Sequence, residues 1–413
     1  MDSRISSSTD ETVSEAGPDG NRPGGTHVDQ LARRTATLEQ VFESSDVAFV
    51  VTDYTDLAVN GLTRMYGVTT GFPQTARWKS PTTLSTEGAS VRYTAIAALG
   101  IARLPLDVQR GILADAHAAD LSQSVMNWAL AGADPGAVAL ATWLAAELGD
   151  TAEARRGAQR IRELVATGRA IPTVDQAWML TALVECDLAI DEHGTATELL
   201  ARLLRNQGGR GIFPHVLPPD GQNRLRAHIG CFADQVYPIQ ALARYARATG
   251  DAEALRAADR CAERIVELQG PAGQWWWHYD SRTGDVVEGF PVYSVHQHAM
   301  APMALFDLYE AGGRDHRDAV VRGLRWIQRH PELPESNLIA RGAGVIWRKI
   351  GRREPRKATR TIRSVTTALR PGLRLGALDA LFPPGWVDRE CRPYELGWLL
   401  YAWATTATDN EAH

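Results

Sequence analysis

The chain has 413 residues, 44% of them hydrophobic, enough to bury either one large core or two ordinary ones. Its formal net charge is −5, so it lacks the global basic excess that argues for a nucleic-acid partner. The four cysteines, Cys186, Cys231, Cys261 and Cys391, form no CxxC pair, which argues against a zinc ribbon or a disulfide framework and fits a reducing compartment.

In chain order, residues 1–27 are rich in Ser, Thr, Gly, Pro and Asp and hold no apolar h-region, so they are expected to be a disordered leader and not a signal peptide. No run of about 18 apolar residues follows, so no membrane span is expected and the protein is assigned to the cytoplasm. Residues 28–413 read as one domain. Asp46 to Asp53 is a short β-like run that stays unassigned.

Beyond it two kinds of helical segment alternate. One kind carries a single apolar stripe: Leu255, Ala258, Ala262, Ile265 and Leu268 share a face, while Glu253, Arg256, Arg260, Glu263 and Glu267 cover the rest. The segment from His316 to His330 behaves alike. The other kind is apolar or small nearly all round: Tyr93 to Leu104, Ala137 to Leu148, Ala177 to Ile190, Val236 to Ala248, Ala299 to Tyr309, and Leu396 to Ala404. A helix apolar on every face must be surrounded by protein. Six such helices alternating with one-sided ones predict an all-α fold, an (α/α)6 toroid with an inner ring wrapped by an outer ring.

A repeat supports the hairpin unit. Leu203, Gln207, Gly211 and Phe213 are matched about 60 residues later by Ile265, Gln269, Gly273 and Trp275. Pro238 then Pro302, Tyr245 then Tyr309, and Gly250 then Gly312 extend the match over two helices. The start-to-start spacing of inner helices widens before the last one, marking an insertion at about 348–374. It contains Arg348, Lys349, Arg352, Arg353, Arg356, Lys357, Arg360, Arg363, Arg370 and Arg374 against the single acid Glu354. This run reads either as a docking patch for an anionic glycan, a lipid phosphate or an acidic membrane surface, or as a plain solvated and partly flexible segment.

If the inner helices are parallel, their N-termini open at one end and residues just before them converge on one pocket. Pro238 and Pro302 fit the first helical position, where a missing N–H has no intrahelical partner, although a proline kink inside a longer helix is the competing arrangement. An acid-x-x-aromatic element recurs there as Asp175 with Trp178, Asp234 with Tyr237, and Glu395 with Trp398. Such acids either cap helices or ring a cavity suited to glycosidic-bond chemistry, which needs one acid and one base or nucleophile. His296 and His298 flank Gln297 and are candidates for proton transfer; as i,i+2 residues they point apart, so no metal site is assigned and no cofactor is expected. Asp175, Asp234, His296, His298 and Glu395 are thus the candidate catalytic groups. Arg92, Tyr93, Trp178, Gln235, Tyr237, Trp276, Trp277, His278 and Gln297 are the candidate substrate contacts, the aromatic rings because they stack on sugar faces. Asp285 and Glu288 are further polar groups within reach of the cavity.

Gln269, Gly273 and Trp275 resemble the QW repeat of squalene and other triterpene cyclases, which are α/α toroids; the sequence carries no DxDD motif. The related prenyltransferases use a zinc-bound thiolate, and Cys231 lies near a pocket-facing segment without Asp and His companions that the sequence alone can match. The wider pattern, including Arg92, Tyr93 and the segment Pro291 to Phe306, is similar to the six-hairpin glycosidase superfamily over roughly residues 88–407. That resemblance implies a carbohydrate ligand, anionic in some members, and acid/base chemistry of the hydrolase or epimerase type in a protein of a bacterial polysaccharide locus. A terpenoid-cyclase-like or prenyltransferase-like enzyme and a non-catalytic glycan-binding scaffold are the alternatives.

Overall fold

A computed structural model describes residues 46–187 and 194–404; the leader lies outside the described residues. The chain runs through α1 (Asp46–Met65), α2 (Val91–Ile101), the short α3 (Leu106–Ile112), α4 (Ala118–Ala131), α5 (Pro135–Glu147), α6 (Thr151–Ala166), α7 (Thr173–Glu185) and α8 (Thr195–Asn206). It continues with α9 (Ala233–Thr249), α10 (Ala252–Glu267), α11 (Ala301–Glu310), α12 (Arg317–Arg329), α13 (Ala358–Leu369), α14 (Ala377–Leu381) and α15 (Pro393–Trp403). The β-like run Asp46 to Asp53 is the first part of α1. None of the described helices is long and apolar enough to cross a membrane.

The inner ring is α2, α5, α7, α9, α11 and α15. Each packs on the next, and α15 returns to pack on α2, so the ring closes. Closure demands a close backbone approach: a Cβ on Gly100 would lie 2.2 Å from the Gly397 carbonyl oxygen, and one on Gly397 would lie 2.7 Å from Ala97 Cα. The outer layer is α1, α4, α6, α8, α10 and α12, whose single apolar stripes rest on the ring. The (α/α)6 toroid is therefore present, with its inner helices near the predicted segments.

The repeat is a set of latches. Gln207 Nε2 donates to the carbonyls of Gly211 (3.0 Å) and Ala257 (2.8 Å); Gln269 Nε2 donates to those of Gly273 (2.8 Å) and Ala319 (2.9 Å). Each glutamine thus fixes its own turn and binds the following outer helix. Gly211 and Gly273 sit at φ +87° and +95°, where a side chain is strained, and a Cβ would meet the Arg260 or Arg322 carbonyl at 2.5 or 2.1 Å. Trp275 is fully buried beside Phe232 at 5.5 Å, so the QW element holds hairpins together.

The two prolines divide between the two arrangements expected of them: Pro302 stands in the first turn of its helix, and Pro238 lies inside a longer one. Pro238 lies inside α9, which already begins at Ala233. Pro302 follows a π-turn at His296–Met300 that leads directly into α11. The missing N–H of Pro302 is accommodated where the hydrogen-bond register changes, a feature typical of π-bulges.

At the C-terminal end of the ring a buried polar knot fills the axis. Arg103 bonds Glu147 (2.9 Å), while Arg244 reaches Glu185 (2.8 Å), Asp307 (2.6 Å) and the Tyr401 hydroxyl (3.0 Å). Trp143, Trp398 and Tyr401 pack against it, Tyr401 edge-on to both indoles and the Trp143 and Trp398 centroids 5.4 Å apart. The space inside the ring is therefore blocked at that pole, and the ring's other pole carries the exposed polar groups.

Short strands decorate that second pole. Ile229–Cys231, His278–Asp280 and Val286–Glu288 form one antiparallel sheet; Val292–Tyr293, Lys349–Arg352 and Pro384–Asp388 form another, through which the insertion joins the rim. The insertion is docked and not loose. Arg352 and Arg363, both buried, converge on buried Glu288 at 3.0 and 2.9 Å and on Asp379 at 2.5 and 2.8 Å.

Candidate functional site

The N-termini of the inner helices meet at the decorated pole, and two clusters of charge lie there. In the first, Arg92 of α2 bridges two acids. Its Nε donates to Asp134 Oδ2 at 2.6 Å, its Nη2 contacts Asp134 Oδ1, and Nη1 and Nη2 donate to Asp175 Oδ1 and Oδ2 at 2.8 and 2.9 Å. Asp134 caps α5 through the Gly136 N–H, and Asp175 stands in the first turn of α7. Gly136 makes room: a Cβ there would lie 2.4 Å from Asp175 Oδ1 and 2.5 Å from Arg92 Cζ.

The two carboxyl groups share one guanidinium nitrogen yet differ in setting. The Asp175 side chain is 2% exposed and that of Asp134 39%. Burial raises Asp175 above the usual carboxylate range, and Arg92 only partly offsets it. At Asp134 burial also pushes upward, but the Arg92 hydrogen bond and charge outweigh it and hold the group below that range. Neighbouring carboxyls driven apart in this way are the arrangement that acid and base roles require.

In the second cluster, Arg348 bonds Glu395 at 3.1 Å and Glu390 at 3.2 Å, and Arg392 bonds Glu390 at 2.7 Å and the Tyr93 hydroxyl at 2.8 Å. Burial lifts Glu395 to about 7 despite Arg348 beside it. Its Oε2 also accepts the Arg392 N–H, so Glu395 caps α15 while its other oxygen is ion-paired. Between the clusters stand Trp178 and Tyr237, edge to face at 4.9 Å, with Trp398 6.0 Å from Tyr237. Tyr93 stacks on Tyr394 at 4.8 Å, and the Arg92 guanidinium lies 5.5 Å from the Trp178 ring.

The remaining predicted residues fall elsewhere. Gln235 Oε1 accepts the Phe213 N–H at 2.8 Å while its Nε2 donates to the Phe213 and Cys231 carbonyls, both at 3.0 Å. Gln297 accepts the Trp275 N–H at 3.3 Å and donates to the Tyr293 carbonyl at 3.1 Å. Both are fully buried latches, so their polar atoms are not offered to a ligand. His298 is 1% exposed, and burial pushes its imidazole down to about 3, so it stands in the core beneath the pole. His296 points the other way, against Phe232 (4.5 Å) and Tyr293 (5.0 Å), and burial holds it well below its ordinary value. His278 is likewise buried and held low, in register with Cys231. Trp277 stacks on Tyr293 at 4.5 Å, whereas Trp276 lines a separate cavity of about 250 Å³ with Phe290, Arg352 and Arg374. Glu288 is engaged by Arg352 and Arg363, and Asp285 by Arg264 at 3.1 Å.

Asp234 is completely buried. Both its oxygens face His215 Nδ1, at 3.1 and 3.0 Å, and Oδ2 also accepts the Cys231 N–H at 2.7 Å. His215, the Cys231 thiol and the Asp234 carboxylate place their donor atoms within 4.8 Å of one another, a grouping of metal-ligating type that the sequence pattern did not bring together. Asp134, His215 and Arg348 are the participants missed as site residues. Asp134 stands directly before an inner helix, where the selected acids stand in the first turn of theirs, and has Ala137 where those have an aromatic.

No protein-family model matches the sequence, and no curated protein matches it. Solved structures do resemble it. An unsaturated glucuronyl hydrolase specific for heparin aligns with a TM-score of 0.58 at 12% identity, over 86% of this chain and 96% of that one. A possible member of the GH105 family from Klebsiella pneumoniae aligns with a TM-score of 0.51 at 9% identity, over 87% of this chain and 92% of that one. At such identities the likeness is one of architecture. The chain has the (α/α)6 toroid fold of these solved structures, with the first turns of its inner helices carrying the two charge clusters.

Proposed function

We propose that the protein processes a carbohydrate by acid/base chemistry at the mouth of the toroid, with Asp175 as proton donor and Asp134 as base or nucleophile. The observation that carries this reading is the Asp134–Arg92–Asp175 constellation, two carboxyl groups on one guanidinium with opposite electrostatic settings. Glycosidic cleavage needs a protonated carboxyl for the leaving oxygen and an ionised one nearby. Tyr93, part-exposed beside Arg392, supplies a face on which a sugar ring stacks, whereas Trp178 and Tyr237 are buried and pack beneath the charged groups. Arg92 orients both acids, and Glu395, with its carboxyl lifted to about 7, is a second proton donor on the opposite rim.

An anionic sugar, and a uronide before others, is the substrate class we favour. A cavity of about 210 Å³ beside Tyr293 is lined by Arg352, Lys357, Arg360 and Trp386 with Lys349, which is paired to Asp388 at 2.9 Å, and the single acid Glu354, so a cationic excess and an aromatic face line it. The neighbouring fold includes an unsaturated glucuronyl hydrolase, which agrees with that choice without dictating it.

The test is to incubate the full-length protein with unsaturated uronides, saturated uronides and neutral oligosaccharides and to follow release of reducing ends. Uronides should be turned over in preference to neutral sugars. Asp175→Asn and Asp134→Asn should each lower kcat/KM by about 100-fold or more while far-UV circular dichroism is unchanged. Wild-type turnover in both variants would exclude the pair.

A further inference from the structure

We infer that His215, Cys231 and Asp234 form a zinc site at the rim of the toroid. The three residues arrive from different places: His215 from the loop after the first repeat's Phe213, Cys231 from the end of a strand, and Asp234 from the first turn of α9. Their ligand atoms nonetheless lie within 4.8 Å of one another. An imidazole nitrogen, a thiol and a carboxylate are the donor types zinc takes, and in a tetrahedral site their mutual spacing contracts by only a modest side-chain adjustment. The thiol makes the set selective, because hard cations such as Mg²⁺ and Ca²⁺ prefer oxygen donors alone.

The surroundings are built to hold the ligands. Asp234 is fully buried and is oriented by the Cys231 N–H at 2.7 Å, a backbone contact of the kind that fixes a metal-binding carboxylate. Cys231 is pinned by strand pairing, its backbone in register with His278, and its carbonyl accepts from Gln235 at 3.0 Å. The His215 side chain is 47% exposed, so one side of the cluster is reachable from solvent. Three protein donors leave a fourth tetrahedral position, and on that open side it would take water or an oxygen of a bound ligand. A thiolate, a carboxylate and a neutral imidazole also balance the charge of Zn²⁺, so the occupied site is neutral overall and the buried carboxylate gains a counter-charge.

Zinc binding is read without any substrate, so its outcome is separate from that of the acid/base reading. The full-length protein, stripped with a chelator, is titrated with zinc chloride and, in parallel, with cobalt chloride. The expected result is one equivalent bound, a zinc-dependent rise in Tm, and a near-UV thiolate-to-cobalt charge-transfer band. His215→Gln changes a half-exposed residue and should fold normally, and Cys231→Ser keeps the shape of the side chain; each should weaken zinc by about 100-fold or more and abolish the Tm shift. Cys231→Ser should also lose the charge-transfer band. Absence of the band in the wild type, zinc affinity unchanged in His215→Gln, or an equal Tm rise with Mg²⁺ would overturn the site.

Discussion

At the scale of single residues, the mouth works by setting equivalent groups in unequal surroundings. Asp175 and Asp134 hold the same guanidinium, yet one is enclosed and the other half open and capped by backbone N–H groups, and burial raises the first while Arg92 and those N–H groups lower the second. Glu395 provides a test that needs no substrate. Its carboxyl titrates near 4.5 when unfolded and is lifted by burial to about 7 in the fold, so the native state holds the proton more tightly. The stabilisation is complete below about pH 4.5 and is lost as pH rises toward 7, on the order of 3 kcal/mol across that window. Glu395→Gln should remove this slope: the difference in unfolding free energy between variant and wild type, from denaturant melts at pH 4.5, 6 and 7.5, should move in the variant's favour as pH rises. A pH-independent difference would count against a lifted Glu395. Asp175, Asp234 and Glu395 were legible in the sequence because each stands in the first turn of an apolar helix, three residues ahead of an aromatic. His215 was not, since it sits in an irregular loop with no period, and Arg348 was hidden within a charge run whose members have different fates.

At the scale of elements, the repeated hairpin turn is a hydrogen-bonded joint, and its parts should fail in a graded way. Gly273→Ala forces a side chain onto a positive φ and against the Arg322 carbonyl, and should cost about 2–4 kcal/mol in denaturant melts. Gly111→Ala, in α3 where nothing lies within 4 Å, should be neutral or stabilising by up to about 1 kcal/mol. Equal costs at the two sites would contradict the latch. The insertion has a similar joint. Glu288 lies buried between Arg352 and Arg363, so Glu288→Gln leaves two enclosed guanidinium groups with the half-exposed Asp379 as acidic partner and should destabilise by about 3–5 kcal/mol; a cost under about 1 kcal/mol would mean that the insertion is loosely held. The sequence revealed the apolar and one-sided helices because burial on all faces and burial on one face leave different periodic patterns. It did not decide between the two arrangements for Pro238, since a proline at a helix start and one accommodated inside a helix look alike without backbone hydrogen bonds, while Pro302 does stand in the first turn. It also left undecided whether the basic run was solvated, because ion pairs such as Arg363 with Glu288 join residues 75 apart.

For the whole molecule, the ring's asymmetry between poles is what makes a site. The C-terminal pole is filled by the knot of Arg103, Glu147, Glu185, Arg244, Asp307 and Tyr401, while the Arg92 and Arg348 clusters lie where the helices begin. Closure of α15 onto α2 brings Glu395 and Arg392 beside Tyr93, so the last hairpin completes a rim begun by the first. Ring closure and parallel inner helices were implied by the alternation of helix types, whereas the pairing of Asp134 with Asp175 through Arg92 depends on three-dimensional proximity across 42 and 83 residues of chain. The most direct test of the account is the pH dependence of kcat/KM on the best uronide for the wild type, Asp134→Asn and Asp175→Asn. The account predicts a bell for the wild type, falling at low pH as Asp134 takes up a proton and at high pH as Asp175 loses one, with the acid limb absent from the residual activity of Asp134→Asn and the alkaline limb absent from that of Asp175→Asn. Variants that retain both limbs and the wild-type rate would show that neither carboxyl takes part.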